Sequence, residues 1–310
     1  MKIGVVFKEE NKDDFKIKSS LRSSSFRTAG LKKAKELASE AKKYIEAKGH
    51  KVVEVEESKP DYILSFGGDG TLIHTACQYA HLGIPFIGIN VGRLGFLTAA
   101  EGNDWQEALD KLIANKVFIS ERITLEAKVV AGNELLVASK KPVTRNSSSL
   151  SLRAEGQSPE TSYRAVNEAA IKGFLRIIEL EIAVNGEKFL KVLGDGVIIS
   201  TQTGSTAYSL SSGGPIVDPH LDCLLITPIN PIGLPIPSVV ISPDDVVLVK
   251  VVKGDDVSLI IDGQEHTKLK EGEIVKFTKG KHNVKFGYFD KQHFLKSLNA
   301  KFGLAGRFGG

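Results

Sequence analysis

The residues of this chain best suited to chemistry stand in two glycine-rich turns, Gly67-Gly68-Asp69-Gly70-Thr71 and Gly194-Asp195-Gly196. Glycine lets backbone N–H groups close on an anion, and a helix N-terminus behind such a turn adds a favourable dipole. In the first turn Gly67, Gly68, Gly70 and Thr71 can therefore face phosphate oxygens. Asp69 at its apex is costly beside phosphates unless it binds a cation or takes a proton. A general base that deprotonates a hydroxyl attacking a phosphoryl group fits that position; a plain helix cap is the alternative. The second turn is expected to lead, like the first, from strand toward helix. It runs on through Gly204-Ser205-Thr206-Ala207-Tyr208-Ser209, which offers hydroxyls, backbone groups and an aromatic face suited to a nucleobase.

Further polar residues sit where apolar ones would be expected. Asn167-Glu168 lies between Ala165-Val166 and Ala169-Ala170-Ile171, so its amide and carboxyl must find partners. A sugar hydroxyl or base edge would serve, and so would a buried network. His74, Cys77 and His81 share one helix face, but a cysteine there is ordinarily core filling, and no metal site is read from them. His74 alone, one turn past Gly70, is suited to a phosphate contact or to packing. Asp262-Gly263-Gln264 reads as a hairpin turn.

These groups must be carried by a sizeable scaffold. At 310 residues the chain is long enough for two domains. Its 42% apolar and 25% charged residues are those of a soluble globular protein. A net charge of +4 is too mild to imply nucleic acid and merely suits an anionic substrate. The only cysteines, Cys77 and Cys223, are remote in sequence, and no apolar run approaches the ~20 residues that span a bilayer. Residues 3–7 read as a buried strand rather than a leader. A cytoplasmic protein with no membrane partner is expected.

Strand-like runs at 3–7, 52–55, 62–66 and 85–90, with helical spacing over 31–48 and 72–79, give the rhythm of a parallel α/β sheet. Residues 8–30, rich in Lys, Asp and Ser, are expected as a surface loop. After about residue 120 the rhythm changes. Short runs at 125–130, 135–138, 177–184, 197–200, 246–252, 257–261 and 284–289 predict a largely antiparallel second domain, with a polar hairpin tip over 139–163. A final helix is expected over 290–304, fraying beyond it.

Together these motifs resemble the NAD kinase family. Gly67–Thr71 is similar to its hallmark turn, and Gly88-Ile89-Asn90-Val91-Gly92-Arg93-Leu94-Gly95-Phe96-Leu97-Thr98 to the stretch that follows it. Asn167-Glu168 matches its Asn-Glu pair, residues 194–217 its longest signature, and Asp262-Gly263-Gln264 a late turn. The first motif is shared with diacylglycerol kinases and phosphofructokinases; the stretch 194–217 separates them.

The resemblance implies a Rossmann-like α/β domain over 1–100 and 291–310, and a β-rich domain over 101–290 that binds the dinucleotide. The site would lie between the two, with a C-terminal helix packing back on the first. It implies transfer of the terminal phosphoryl group of ATP, or of polyphosphate, to the 2′-hydroxyl of the adenosine ribose of NAD. Asp69 would be the base, with Gly67, Gly68, Gly70 and Thr71 at the phosphates. Asn167 and Thr206 would meet the adenine, with Tyr208 nearby. Glu168, Asp195, Ala207 and Ser211 would line the ribose and nicotinamide ends, and Gln264 and His74 would complete the pocket. Mg²⁺ would be held mainly by substrate phosphates, and a homodimer or homotetramer is implied. The chain departs from the family pattern at Leu193, where a basic residue is frequent, and at Gln202, where proline is usual; glutamine there should loosen the turn. A related lipid or sugar kinase, or a dinucleotide sensor without turnover, are the competing readings.

Overall fold

The structure, a computed structural model, describes residues 1–7, 24–92, 95–130, 162–233 and 235–303. Residues 8–23 of the loop expected over 8–30, the run at 135–138, residues 139–161 of the hairpin tip expected over 139–163 and the chain past 303 lie outside these residues. Two compact units are present: Met1–Arg122, Asp218–His220 and His282–Gly310 in the first, Ile123–Val217 and Leu221–Lys281 in the second.

The first unit is built on a mostly parallel sheet of β1 (Lys2–Phe7), β2 (Lys51–Val53), β3 (Tyr62–Gly67), β4 (Pro85–Asn90), β5 (Ala100–Glu101), β6 (Phe118–Arg122) and a late strand, β19 (Val284–Tyr288). The order is β2-β1-β3-β4-β19-β6, with β5 on β4. Helix α1 (Ser24–Ala47) turns Ala34, Ala38, Ala41 and Ile45 onto the sheet, a spacing of three and four that makes one buried stripe. It begins seven residues before Leu31, within the stretch expected as loop, because serines are tolerated in a helix and no proline stops it. Helix α3 (Trp105–Ile113) adds Trp105, Ala108, Leu109 and Leu112 to the same core, with Trp105 edge-on to Tyr44 at 5.4 Å. Helix α2 (Asp69–Tyr79) springs from the end of β3, and α5 (His293–Phe302) closes the described chain.

One strand is not where the sequence rhythm put it. The run at 284–289 was expected among the antiparallel strands of the second domain, but β19 joins the first sheet, parallel to β4 and antiparallel to β6. Alternation marks a strand without naming its partner. Phe286 settles the matter by packing its buried ring 6.5 Å from Phe86.

The second unit is a pair of antiparallel sheets. One orders β11 (Glu187–Gly194), β10 (Ile178–Val184), β15 (Val247–Lys253), β18 (Ile274–Lys279), β7 (Leu125–Val130) and β8 (Ser162–Ala165). The other orders β14 (Val239–Ile241), β13 (Leu224–Ile229), β12 (Gly196–Thr201), β9 (Glu168–Gly173), β16 (Val257–Ile261) and β17 (Gln264–Leu269). Inward residues of both, such as Leu180, Val249, Ile171 and Val197, form a single core. β10 and β15 alternate buried and half-buried, as expected of strands with one covered face. β9 and β12 are buried almost throughout, because their outer face carries the turn of residues 203–206 and α4 (Tyr208–Ser211). Ile198 and Ala170 pack there against Tyr208. No helix among the described residues is long and apolar enough to cross a membrane.

Candidate active site

In the first unit β3 delivers Gly67, Gly68 supplies the extended residue before the helix, and Asp69 is the first residue of α2. Asp69 does not cap its own helix. Its Oδ2 accepts the Phe96 N–H at 2.6 Å, and its Oδ1 accepts those of Leu97 at 3.1 Å and Thr98 at 3.3 Å. Three consecutive peptides thus hold one carboxylate in a fixed pose. The approach needs Gly95, since a Cβ there would stand 1.9 Å from Asp69 Oδ1. Gly67 is likewise a packing glycine, crowded by Thr71. Gly68 and Gly70 differ: a Cβ at either would meet nothing within 4 Å, and neither needs a positive φ. Their bareness serves no internal contact and leaves the helix N-terminus open to an incoming group. Thr71 begins the first helical turn, its N–H donating to Gly68 O at 3.0 Å, and His74 is exposed further along α2.

In the second unit Asn167-Glu168 opens β9, and both side chains are buried, 9% and 5% exposed. Asp262, at φ 46° in the turn between β16 and β17, holds this corner by the same device as Asp69. Its Oδ2 accepts the Val166 N–H at 2.8 Å, and its Oδ1 accepts those of Asn167 at 2.8 Å and Glu168 at 3.1 Å. Burial pushes the Asp262 carboxyl up against the pull of these three bonds. Burial also raises Glu168, to about 8, with the neighbouring Asp262 adding to the rise and the Tyr208 backbone N–H opposing it. Among the described residues Asn167 Oδ1 and Glu168 Oε2 are buried without a hydrogen-bond partner. Two adjacent orphans of this kind are costly unless a ligand or water completes them.

The second unit therefore brings Asn167, Glu168, Tyr208 and the 262–264 turn to one corner. Thr206 and Ala207 lie half-buried in the turn leading to Tyr208, Ser211 is exposed one turn further, and Gln264 is exposed where β17 begins. Tyr208 packs on Ala170, Ile198 and Ile229, with Lys172 Nζ 5.9 Å from its ring centre. Asp195 does not join them. Ser200 pairs with Glu168 and Gly196 with Lys172, so Asp195 sits at the opposite end of β9, on the order of 15 Å away. There its Oδ2 accepts from Asn230 Nδ2 at 2.8 Å.

The 194–196 turn also differs from expectation, because it joins strand to strand. A Cβ on Gly196 would fall 2.1 Å from Ile171 O, and one on Gly194 would fall 2.7 Å from Asn230 O. These glycines admit carbonyls, the wrong partners for a phosphate. Nor is the following turn loosened at Gln202, whose buried Nε2 donates to Asp222 Oδ1 at 3.0 Å and pins it. The structure adds Gly95 and Asp262, which sequence reasoning left without a role; the one signal was their place in quoted motifs.

The first unit offers an open glycine turn with an oriented carboxylate, and the second a polar corner with unpartnered buried oxygens, features suited to a phosphotransferase of small polar acceptors. Residues 5–117 match the model of the ATP-NAD kinase N-terminal domain, and residues 167–288 that of the ATP-NAD kinase C-terminal domain. The chain belongs to the NAD kinase family. It is 38% identical to an NAD kinase of Desulforamulus reducens over 242 residues, 78% of this chain and 76% of that one. To an NAD kinase of Symbiobacterium thermophilum it is 35% identical over 244 residues, 78% of each chain. Its fold is that of yeast NADH kinase complexed with NADH (TM-score 0.68, 20% identity, 97% of this chain and 87% of that one). An NAD kinase from Archaeoglobus fulgidus in complex with ATP gives a TM-score of 0.63 at 22% identity, covering 96% of each chain.

Proposed function

We propose that this member of the family transfers the terminal phosphoryl group of ATP, or of inorganic polyphosphate, to the 2′-hydroxyl of the adenosine ribose of NAD, giving NADP. The observation that carries the reading is the pose of Asp69. A carboxylate has about four acceptor positions, and three are taken by the Phe96, Leu97 and Thr98 N–H groups. The one left, on Oδ2, receives the hydroxyl proton as the ribose oxygen bonds to phosphorus and the donor's bridging P–O bond breaks. Gly68 and Gly70, bare and open, let backbone N–H groups face the phosphates, with Gly67 and Thr71 shaping the turn. Asn167 and Glu168, with orphaned buried oxygens, meet the adenine and ribose, and Thr206, Ala207, Tyr208, Ser211 and Gln264 border that corner. NADH in the complex of one structural relative and ATP in that of the other support a dinucleotide acceptor and a nucleotide donor.

Among the described residues no cluster of three or more His, Cys, Asp or Glu side chains is disposed to hold a metal. Mg²⁺ is proposed to come with the donor, held by its phosphate oxygens and neutralising their charge, and no step is routed through it. A cytoplasmic homodimer or homotetramer completes the proposal; exposed Phe174, Leu175 and Ile177 support self-association. The test is a coupled assay with NAD, Mg²⁺ and either ATP or polyphosphate, detecting NADP through an NADP-specific dehydrogenase. NADP from one or both tubes supports the reaction and names the donor. NAD binding without NADP from either donor would leave a sensor.

A further inference from the structure

Three residues of helix α5 meet Phe96, beside the Asp69 carboxylate. His293 Nε2 lies 3.2 Å from the Phe96 carbonyl oxygen, Lys301 Nζ stands 3.9 Å from the centre of the Phe96 ring, and the Phe302 ring lies 6.2 Å from it. A carbonyl has no hydrogen to give, so Nε2 carries the proton and donates. The ring is fixed from two sides: it stacks on the buried Tyr288 at 4.4 Å and 20°, and its Nε2 also lies 3.4 Å from Ser297 Oγ. The Phe96 carbonyl and the Leu97 N–H are the two ends of one peptide unit. Its carbonyl end accepts from His293, and its N–H end donates to Asp69 Oδ1 at 3.1 Å. A hydrogen bond at one end of a peptide polarises and orients the other.

We propose that His293 is a positioning residue for Asp69, acting through the Phe96–Leu97 peptide. The C-terminal helix is thereby part of the apparatus that sets the base, not only a cover for the sheet. His293 touches no reacting atom; it holds the 96–98 segment at the angle that leaves Oδ2 facing the acceptor hydroxyl. The inference rests on Asp69 being the base. Both the neutral Nε2–H tautomer and the protonated ring can make the bond, so no pH switch is implied.

The test compares His293→Gln with His293→Asn in the full chain. The two are alike in polarity and differ by one methylene; the longer amide reaches the Phe96 oxygen and the shorter does not. With melting curves confirming that both are folded, kcat for NADP formation should fall about 10–100-fold in H293N, the scale of a slightly misplaced catalytic group. KM for NAD and ATP should stay within about twofold, and H293Q should recover kcat to within about threefold of the parent. Added to Asp69→Asn, H293N should cost less than about twofold more, since it acts through the lost carboxylate. Equal kcat in H293N and H293Q, or a full additional loss in the double variant, would overturn the positioning role while leaving the greatly lowered turnover of D69N to support the base. A D69N protein with unimpaired turnover would remove the base itself, and this inference with it.

Discussion

Asp262 Oδ1 accepts the backbone N–H of Asn167 at 2.8 Å across 95 residues of chain, and the same carboxylate takes the N–H groups on either side. Asp69 does the same to residues 96–98 in the other unit. Each unit thus fixes a corner of its candidate site by giving three successive peptide donors to one aspartate. The economy is physical: a charged acceptor satisfies several buried N–H groups at once and sets the angle of the strand or loop that carries them.

Asp69→Asn should lower turnover by about 10²–10⁴, the worth of a general base, while the protein stays folded. The amide can keep the Leu97 and Thr98 bonds through its oxygen. Its NH₂ must then face the Phe96 N–H, so a stability loss of about 1–3 kcal/mol accompanies it. Coupled NADP formation and a melting curve check the two effects separately; unchanged turnover removes Asp69 from the chemistry.

Gly95→Ala and Gly70→Ala should part company. A methyl on Gly95 lands on Asp69 Oδ1, so it should displace the proposed base and cost both stability, about 1–3 kcal/mol, and turnover. A methyl on Gly70 meets open space, so stability should stay within about 0.5 kcal/mol of the parent or rise, as glycine to alanine does in a helix. Only its phosphate-facing N–H groups would be obstructed, raising KM for ATP. Urea denaturation of the two variants is the deciding measurement, and an equal loss in both would mean the turn is packed, not open.

Asp262→Ala leaves the N–H groups of residues 166–168 without their acceptor. The expected loss is about 2–4 kcal/mol of stability and a rise in KM for NAD of tenfold or more, with kcat less affected. Unfolding by denaturant and steady-state kinetics with varied NAD would show it. A variant with parental KM would separate this corner from dinucleotide binding.

Glu168 makes stability depend on pH in a stated direction. Its folded value near 8 lies above the ordinary carboxylate value of 4.5, so the folded state holds a proton that the unfolded chain has released. Its contribution is fully present below about pH 4.5 and is lost as pH rises toward 8. The decline is on the order of 5 kcal/mol for a shift of this size. Glu168→Gln should abolish that decline and be the more stable protein at pH 8.5, as read from chemical denaturation across pH. A parallel decline in the glutamine variant would assign it to another group.

The sequence alone determined the strands and helices whose burial follows a period, such as the Ala34, Ala38, Ala41, Ile45 stripe of α1 and the alternation in β10 and β15, because periodicity is a local property. It also singled out the side chains proposed to carry the chemistry: Asp69 in its glycine turn and the Asn167-Glu168 pair, polar residues in apolar company. It did not determine the partners. That β19 pairs with β4, that Gly95 clears space for the Asp69 carboxylate, that Asp262 braces Asn167, and that Asp195 stands a strand's length from Glu168 are relations between distant segments. No spacing along the chain encodes them; they arise when the sheets close and each buried N–H must find an acceptor.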